Sequence, residues 1–286
     1  MLIPLLIAAL AVTILIAVTV GVHGSEQVIK RRPPDVCTNP ADYGLRYEEV
    51  AFNSRDGLTL RGWFIPAEEP RGTVVFCHGH IGSMDPDVEY APAFHDRGYH
   101  VLMFDFRGHG RSEGRRVSMG YHERLDLLGA IDYLNSRGIV RVGVLGFSMG
   151  GAVAISTAPH SEAICAVVSD GAFARMRNAI ASGARERGWP GWVSPLIVCL
   201  ASLRLGAWLP KADPIRWVDK IAPKALFIIH GGLDPYISPA EVQDLYARAG
   251  EPKELWVAPE AGHRQVDRQN PEEYTARLLA FFDAWL

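Results

Sequence analysis

The segment Gly146-Phe147-Ser148-Met149-Gly150-Gly151 holds a hydroxyl between glycines two positions away on either side. A serine set that way belongs to a sharp turn between a strand and a helix, where a side chain at either flanking position would clash. The apolar run Val140–Leu145 before it and the small-residue stretch Gly150–Ala158 after it supply that strand and that helix. At the head of a helix, free N–H groups and the helix dipole favour developing negative charge. The chemistry so equipped is nucleophilic attack by Ser148 on a carbonyl carbon.

A neutral hydroxyl attacks poorly unless a base takes its proton, and the base needs a group to orient it. With a serine on this type of turn, the chain order is serine, then acid, then histidine. Asp234 follows the apolar run Ala225–Ile229 in His230-Gly231-Gly232-Leu233-Asp234-Pro235, and His263 follows Glu254–Ala258 in Glu260-Ala261-Gly262-His263. Asp170, at the end of the run Ala163–Ser169, is the reserve acid. The oxyanion would be bound by the backbone N–H of Met149 and by a second N–H after an earlier strand. That second strand is Thr73–Cys77, followed by His78-Gly79-His80-Ile81-Gly82, and the N–H of His80 is the candidate. His78 and His80 have no third ligand spaced to join them on a metal. Cys37, Cys77, Cys165 and Cys199 lie far apart, with neither zinc spacing nor the pattern of a disulfide framework. No metal is expected.

These residues must be carried by a strand–helix alternation. Short runs rich in Val, Ile, Leu and Phe at Thr73–Cys77, His100–Asp105, Val140–Leu145, Ala163–Ser169, Ala225–Ile229 and Glu254–Ala258 suit strands buried on both faces. Tyr47–Phe52 and Thr59–Ile65, joined through Asp56-Gly57, read as a leading hairpin. Helices are predicted at Val117–Ser136, Gly150–Ala158, Pro239–Ala249 and Pro271–Leu286. The fold class is therefore α/β, with a mostly parallel sheet and antiparallel strands at one edge. The interval from Asp170 to Ala225 is too long for one crossover helix. It predicts a cap inserted at about residues 174–216, containing Trp189, Trp192, Trp208 and the apolar stretch Val193–Leu205, with Trp217 just beyond. The cap tryptophans either line an apolar acyl or aromatic acid site or pack the cap onto the core. Arg175, Arg177, Arg185 and Arg187 read as a solvated face.

Leu2 to Val22 carries no charge and, as a helix, spans about 30 Å, the thickness of a bilayer core. No Lys or Arg precedes it and no clean small-residue cleavage site follows, so an uncleaved transmembrane anchor is expected over residues 1–23. Lys30-Arg31-Arg32 follow it, which by the positive-inside rule puts the remainder on the cytoplasmic side. A linker with Pro33, Pro34 and Pro40 is expected over 24–45, and the catalytic domain over 46–286. With 29 Lys and Arg against 32 Asp and Glu and a net charge of −3, there is no basic patch for nucleic acid. At 48% hydrophobic and 21% charged residues, disorder and coiled coil are excluded. The sequence carries no signal of oligomeric state.

Across about residues 45 to 286 the sequence resembles the α/β-hydrolase superfamily. The resemblance rests on His78-Gly79, Asp105-Phe106-Arg107-Gly108-His109-Gly110-Arg111-Ser112, the Gly146–Gly151 turn, His230-Gly231-x-x-Asp234 and Gly262-His263. Within it the chain is most similar to the serine-aminopeptidase-like (monoglyceride-lipase-like) and membrane-anchored Bem46-like branch. The resemblance implies Ser148 as nucleophile, Asp234 as acid, His263 as base and no cofactor. It makes Asp105–Ser112 a structural turn, so His109 is not carried over as catalytic, and it leaves the His80 position as a departure that tunes the oxyanion site. The resemblance assigns no substrate; the triad chemistry, the apolar insert and the anchor point to a small-molecule carboxylic ester or acyl compound, lipid-derived esters being within reach of an anchored enzyme. A peptidase or thioesterase on the same triad, or a non-catalytic binding protein of this fold, are the alternatives.

Overall fold

The computed structural model describes residues 2–35 and 38–286, so Cys37 lies outside the described residues. The chain opens with helix α1 (Leu2–Ile29) and the hairpin β1 (Glu48–Asn53) and β2 (Thr59–Ile65). There follow β3 (Gly72–Cys77), α2 (Ala91–Asp96), β4 (Tyr99–Phe104), α3 (Glu123–Ser136), β5 (Val142–Phe147), α4 (Met149–Thr157) and β6 (Ile164–Asp170). Helices α5 (Met176–Glu186) and α6 (Ser194–Leu205) fill the interval before β7 (Ala225–Gly231). Then come α7 (Pro239–Arg248), β8 (Lys253–Ala258), α8 (Val266–Gln269) and α9 (Pro271–Trp285).

The eight strands form one sheet in the order β1-β2-β4-β3-β5-β6-β7-β8. β2 pairs antiparallel with both β1 and β4, and every other pairing is parallel. The mostly parallel α/β sheet read from the sequence, with its antiparallel edge, is the one found. Alternation along β3 shows how the two cores arise: Val74 and Phe76 join Phe94, Tyr274 and Phe282 on one face, and Val75 and Cys77 join Leu127, Ile131 and Val153 on the other. Successive strand residues face opposite sides, and both sides are covered by helices, so all four are apolar or nearly so.

Three boundaries depart from the sequence expectations, each for a local reason. The helix expected from Val117 starts at Glu123, because the Glu123 carboxylate accepts the N–H groups of Ser118 (2.7 Å) and Gly120 (2.8 Å) and the Ser118 hydroxyl (2.6 Å). Met119 and Gly120, at φ 52° and 102°, cannot continue a helix there. The strand expected from Val140 starts at Val142, and Val140 is left exposed after the turn at Gly138.

The third departure is α1. The uncharged stretch ends at Val22, yet the helix runs on to Ile29, which is fully buried. Its second half packs against α6 through two glycines. A Cβ at Gly24 would lie 2.5 Å from Ile197 Cδ1, and one at Gly21 would lie 2.8 Å from Leu196. Only glycine allows helices to approach this closely. Glu26 pairs with Arg204 of α6 and, at 3.3 Å, with Arg116. Residues 24–29, expected at the start of a linker, are thus a packed part of the fold, and Lys30 and Arg32 continue it through bridges to Arg116 and His109.

Candidate active site

In the sheet Cys77 lies opposite Gly146, so the loop leaving β3 and the turn leaving β5 emerge side by side. This is where strand order reverses, the place where α/β sheets open a crevice at their carboxyl ends. Ser148 sits on the β5–α4 turn at φ 51° and ψ −111°, a conformation L side chains rarely adopt. The flanking glycines make the turn possible. A Cβ at Gly150 would overlap the Cys77 carbonyl, and one at Gly146 would lie 2.5 Å from the Gly150 oxygen. The Ser148 N–H donates to the Asp170 carbonyl at 2.7 Å, fixing the turn to β6.

The loops after β7 and β8 bring two further groups to this serine. His263 Nε2 lies 3.0 Å from Ser148 Oγ, within reach of its proton, and His263 Nδ1 donates to Asp234 Oδ2 at 2.6 Å. Asp234 is held in turn: its Oδ1 accepts the N–H groups of Tyr236 (2.8 Å) and Ile237 (3.0 Å), so one carboxylate oxygen is fixed and the other faces the imidazole. Gly171, at φ 69°, lets the chain pass the ring, since a Cβ there would lie 3.3 Å from His263 Cε1. Asp170, the reserve acid, has a different partner. It accepts the Tyr274 hydroxyl at 2.9 Å, and burial pushes its carboxyl up to about 6 against the opposing charge of Arg264.

The loop after β3 is pinned by three imidazoles. His78 Nδ1 donates to the Gly79 carbonyl at 2.7 Å while its Nε2 accepts the Phe106 N–H at 2.9 Å. His109 sits between two carbonyls, its Nε2 3.0 Å from that of His80 and its Nδ1 2.9 Å from that of Arg107. His80 Nε2 donates to the Val28 carbonyl of α1 at 2.8 Å, and burial, with the charge of Arg32 next, pushes this imidazole down to about 3. A neutral ring with its proton on Nε2 is what a carbonyl partner requires. The N–H groups of His80 and Met149 have no acceptor among the described residues. His109, excluded from catalysis on the sequence, therefore holds the loop that carries one candidate oxyanion donor.

A pocket of about 390 Å³ opens over Ser148 and His263. Its walls include Val28 of α1, Ile180 of α5, Ile197 of α6 and Trp189. Trp189 is the cap tryptophan that lines it, whereas Trp192 and Trp208 are exposed and Trp217 packs on His160, Arg124 and Lys220. Arg187, read from the sequence as part of a solvated face, also lines the pocket. Sequence reading missed two groups altogether. One is the end of α1, which closes the pocket from a position remote in sequence. The other is Arg264, whose guanidinium stacks 4.1 Å over Phe147 and donates to Asp87 at 2.9 Å beneath His263. Neither carries a motif; both are visible only through what they touch.

A family model described as serine aminopeptidase, S33, matches residues 68–202. The esterase Pf2001 of Pyrococcus furiosus is 30% identical over 89% of this chain and 99% of its own, with a TM-score of 0.75. Protein YqkD of Bacillus subtilis is 27% identical over 97% of both chains. The α/β hydrolase domain-containing protein WAV2 of Arabidopsis thaliana is 26% identical over 86% of this chain and 82% of its own. Sheet order, a strained serine turn at its switch point and these likenesses converge: the chain belongs to the α/β-hydrolase superfamily.

Proposed function

We propose that this chain is a membrane-anchored serine esterase that cleaves carboxylic esters of single-chain acyl compounds through Ser148, His263 and Asp234. The observation that carries the reading is the unbroken run of contacts from Ser148 Oγ through His263 to Asp234, 3.0 and 2.6 Å long, at the floor of a pocket with apolar walls. Ser148 Oγ attacks the ester carbon as its proton passes to His263 Nε2, and the Asp234 carboxylate stabilises the imidazolium. The carbonyl oxygen, now an anion, is bound by the N–H groups of Met149 and His80. Collapse expels the alcohol, which takes the proton from His263 and leaves an acyl-Ser148. Water then attacks, gives its proton to His263, and release of the acid restores the serine.

Anchoring is supported by the apolar helix Ile3–Ile29, whose most apolar 18-residue stretch has a mean hydropathy of 2.8 and in which side chains such as Leu5 and Leu15 are exposed. Residues 1–23 are read as the membrane span, residues from 46 onward as the catalytic domain, and about 174–216 as its cap. The basic run Lys30-Arg31-Arg32 supports a cytoplasmic site. Leu203 and Trp192 of the cap are exposed apolar side chains on elements that contact α1, which supports a reading in which the cap meets the bilayer surface from which a lipid-derived ester would come.

The full chain in detergent, treated with a fluorophosphonate probe, is expected to label at Ser148 and to lose labelling in Ser148→Ala. A folded wild-type chain that stays unlabelled would turn the reading toward a binding protein on this fold.

A further inference from the structure

Three arginines line the candidate pocket: Arg264 is paired with Asp87, whereas Arg32 and Arg187 have no carboxylate partner among the described residues. Arg32, just past the end of α1, and Arg187, just past the end of α5, both contribute to its wall together with Ser148 and His263. The Arg32 Nη2 donates to the Gln27 carbonyl at 2.5 Å, while its Nε is buried with no partner among the described residues. The Arg187 Nη1 donates to the Gly183 carbonyl at 2.8 Å. Among the described residues, no salt bridge reaches either guanidinium, in contrast to Arg264 of the same wall, which pairs with Asp87 at 2.9 Å. Asp35 lends Arg32 some field, but its carboxylate accepts the Ser83 N–H at 3.2 Å. Burial first, then the like charge of Arg187, pushes the Arg32 guanidinium below its usual range, so the two cations feel each other.

Two repelling cations facing one apolar pocket, with donors left over, match a group that brings negative charge and acceptor oxygens. Guanidinium prefers carboxylate and phosphate for that reason. The remaining walls, Val28, Ile180, Ile197 and Trp189, suit hydrocarbon. A volume of about 390 Å³ lies at the small end for ligand pockets, with room for one chain.

We propose that Arg32 and Arg187 form an anion subsite, and that the ester this enzyme takes is a single-chain amphiphile carrying a phosphate or carboxylate. The proposal rests on the hydrolase reading of Ser148 and narrows its substrate class. The anionic group sits between the two guanidinium groups while the acyl carbon lies over Ser148.

The test uses the full chain in neutral phosphatidylcholine nanodiscs. One matched pair is the 4-nitrophenyl half-ester of suberic acid against 4-nitrophenyl octanoate. The other is monooleoylglycerol phosphate against monooleoylglycerol. The expected result is that the anionic member of at least one pair is favoured in kcat/KM by about 10-fold or more, chiefly through KM. That preference should collapse toward one in Arg187→Gln and be largely kept in Arg187→Lys. Preference in the phosphate pair alone identifies phosphate as the group; preference in both identifies any anion. No preference in either pair, or one that survives both Arg187→Gln and Arg32→Gln, overturns the subsite. Arg187→Gln keeps the test decisive if Arg32→Gln fails to fold, because Arg187 is an exposed residue beyond a helix end. Fluorophosphonate labelling run in parallel separates the two readings. If wild type is not labelled and turns over neither pair, octyl phosphate against octanol is titrated by tryptophan fluorescence, with the same two variants deciding the anion site on binding alone.

Discussion

Asp170 ends β6 and Asp234 lies in the loop after β7, and the chemistry proposed for the site depends on which of them serves His263. Asp234 has one oxygen tied to two backbone N–H groups and the other to the imidazole, whereas Asp170 is engaged by Tyr274 and faces Arg264. Asp234→Asn is expected to lower ester turnover by about 10⁴-fold, the loss caused by the wrong imidazole tautomer in the serine-protease triad. Asp170→Asn should keep fluorophosphonate labelling, and comparing the two variants with that probe checks the assignment. Ser148, Asp234 and His263 stood out in the sequence because each sits in a short pattern of glycines next to an apolar run. Such a pattern records a local backbone requirement, here one so tight that no side chain fits at Gly150. Arg264 and Arg187 left no such trace. An arginine places few demands on its own backbone, and its role is set by groups distant in sequence, Asp87 for one and the pocket wall for the other.

At the scale of elements, the turn after β4 ties the leading hairpin to α3. The Arg107 guanidinium donates to Asp56, in the β1–β2 turn, at 2.6 and 2.7 Å, and to Asp126 of α3 at 2.6 Å. Hydrogen bonds from Arg107 hold the Asp56 carboxyl down at about 2, against some opposing desolvation. A carboxyl whose pKa is lowered by folding adds stability that is present above its unfolded value, near 4, and is lost as pH falls toward 2. Thermal melts of wild type against Asp56→Asn from pH 5 to 2 should therefore converge as the pH drops, with the variant the less pH-dependent of the two. The strands and the hairpin were legible from periodicity alone, since two-sided burial leaves uninterrupted apolar runs. The start of α3 was not, because it depends on three hydrogen bonds gathered by Glu123 rather than on any pattern. The contact of α1 with α6 was also invisible: its partners are some 170 residues apart in sequence, and only two small residues mark it. Gly24→Leu should force that contact open and lower the melting temperature by an amount corresponding to about 1–3 kcal/mol, measured on the full chain in detergent.

In the whole molecule, the end of an apolar helix packs directly on a hydrolase domain. Hydropathy announces the first and alternation the second, but neither says how they meet. They meet at the pocket: α1 ends beside Ser148's cleft, and its Val28 carbonyl accepts the hydrogen bond from His80, which carries a candidate oxyanion N–H. Where an anchor and an enzyme are linked by slack chain, either can be exchanged without consulting the other. Here the end of the apolar helix is also a wall of the pocket over Ser148. A version of this protein cut free for convenience, or regrafted onto a foreign span, is a different catalyst with a doorway where the original has a side. On the proposed reading, one continuous helix carries both address and selectivity, and exchanging it would change what the pocket admits.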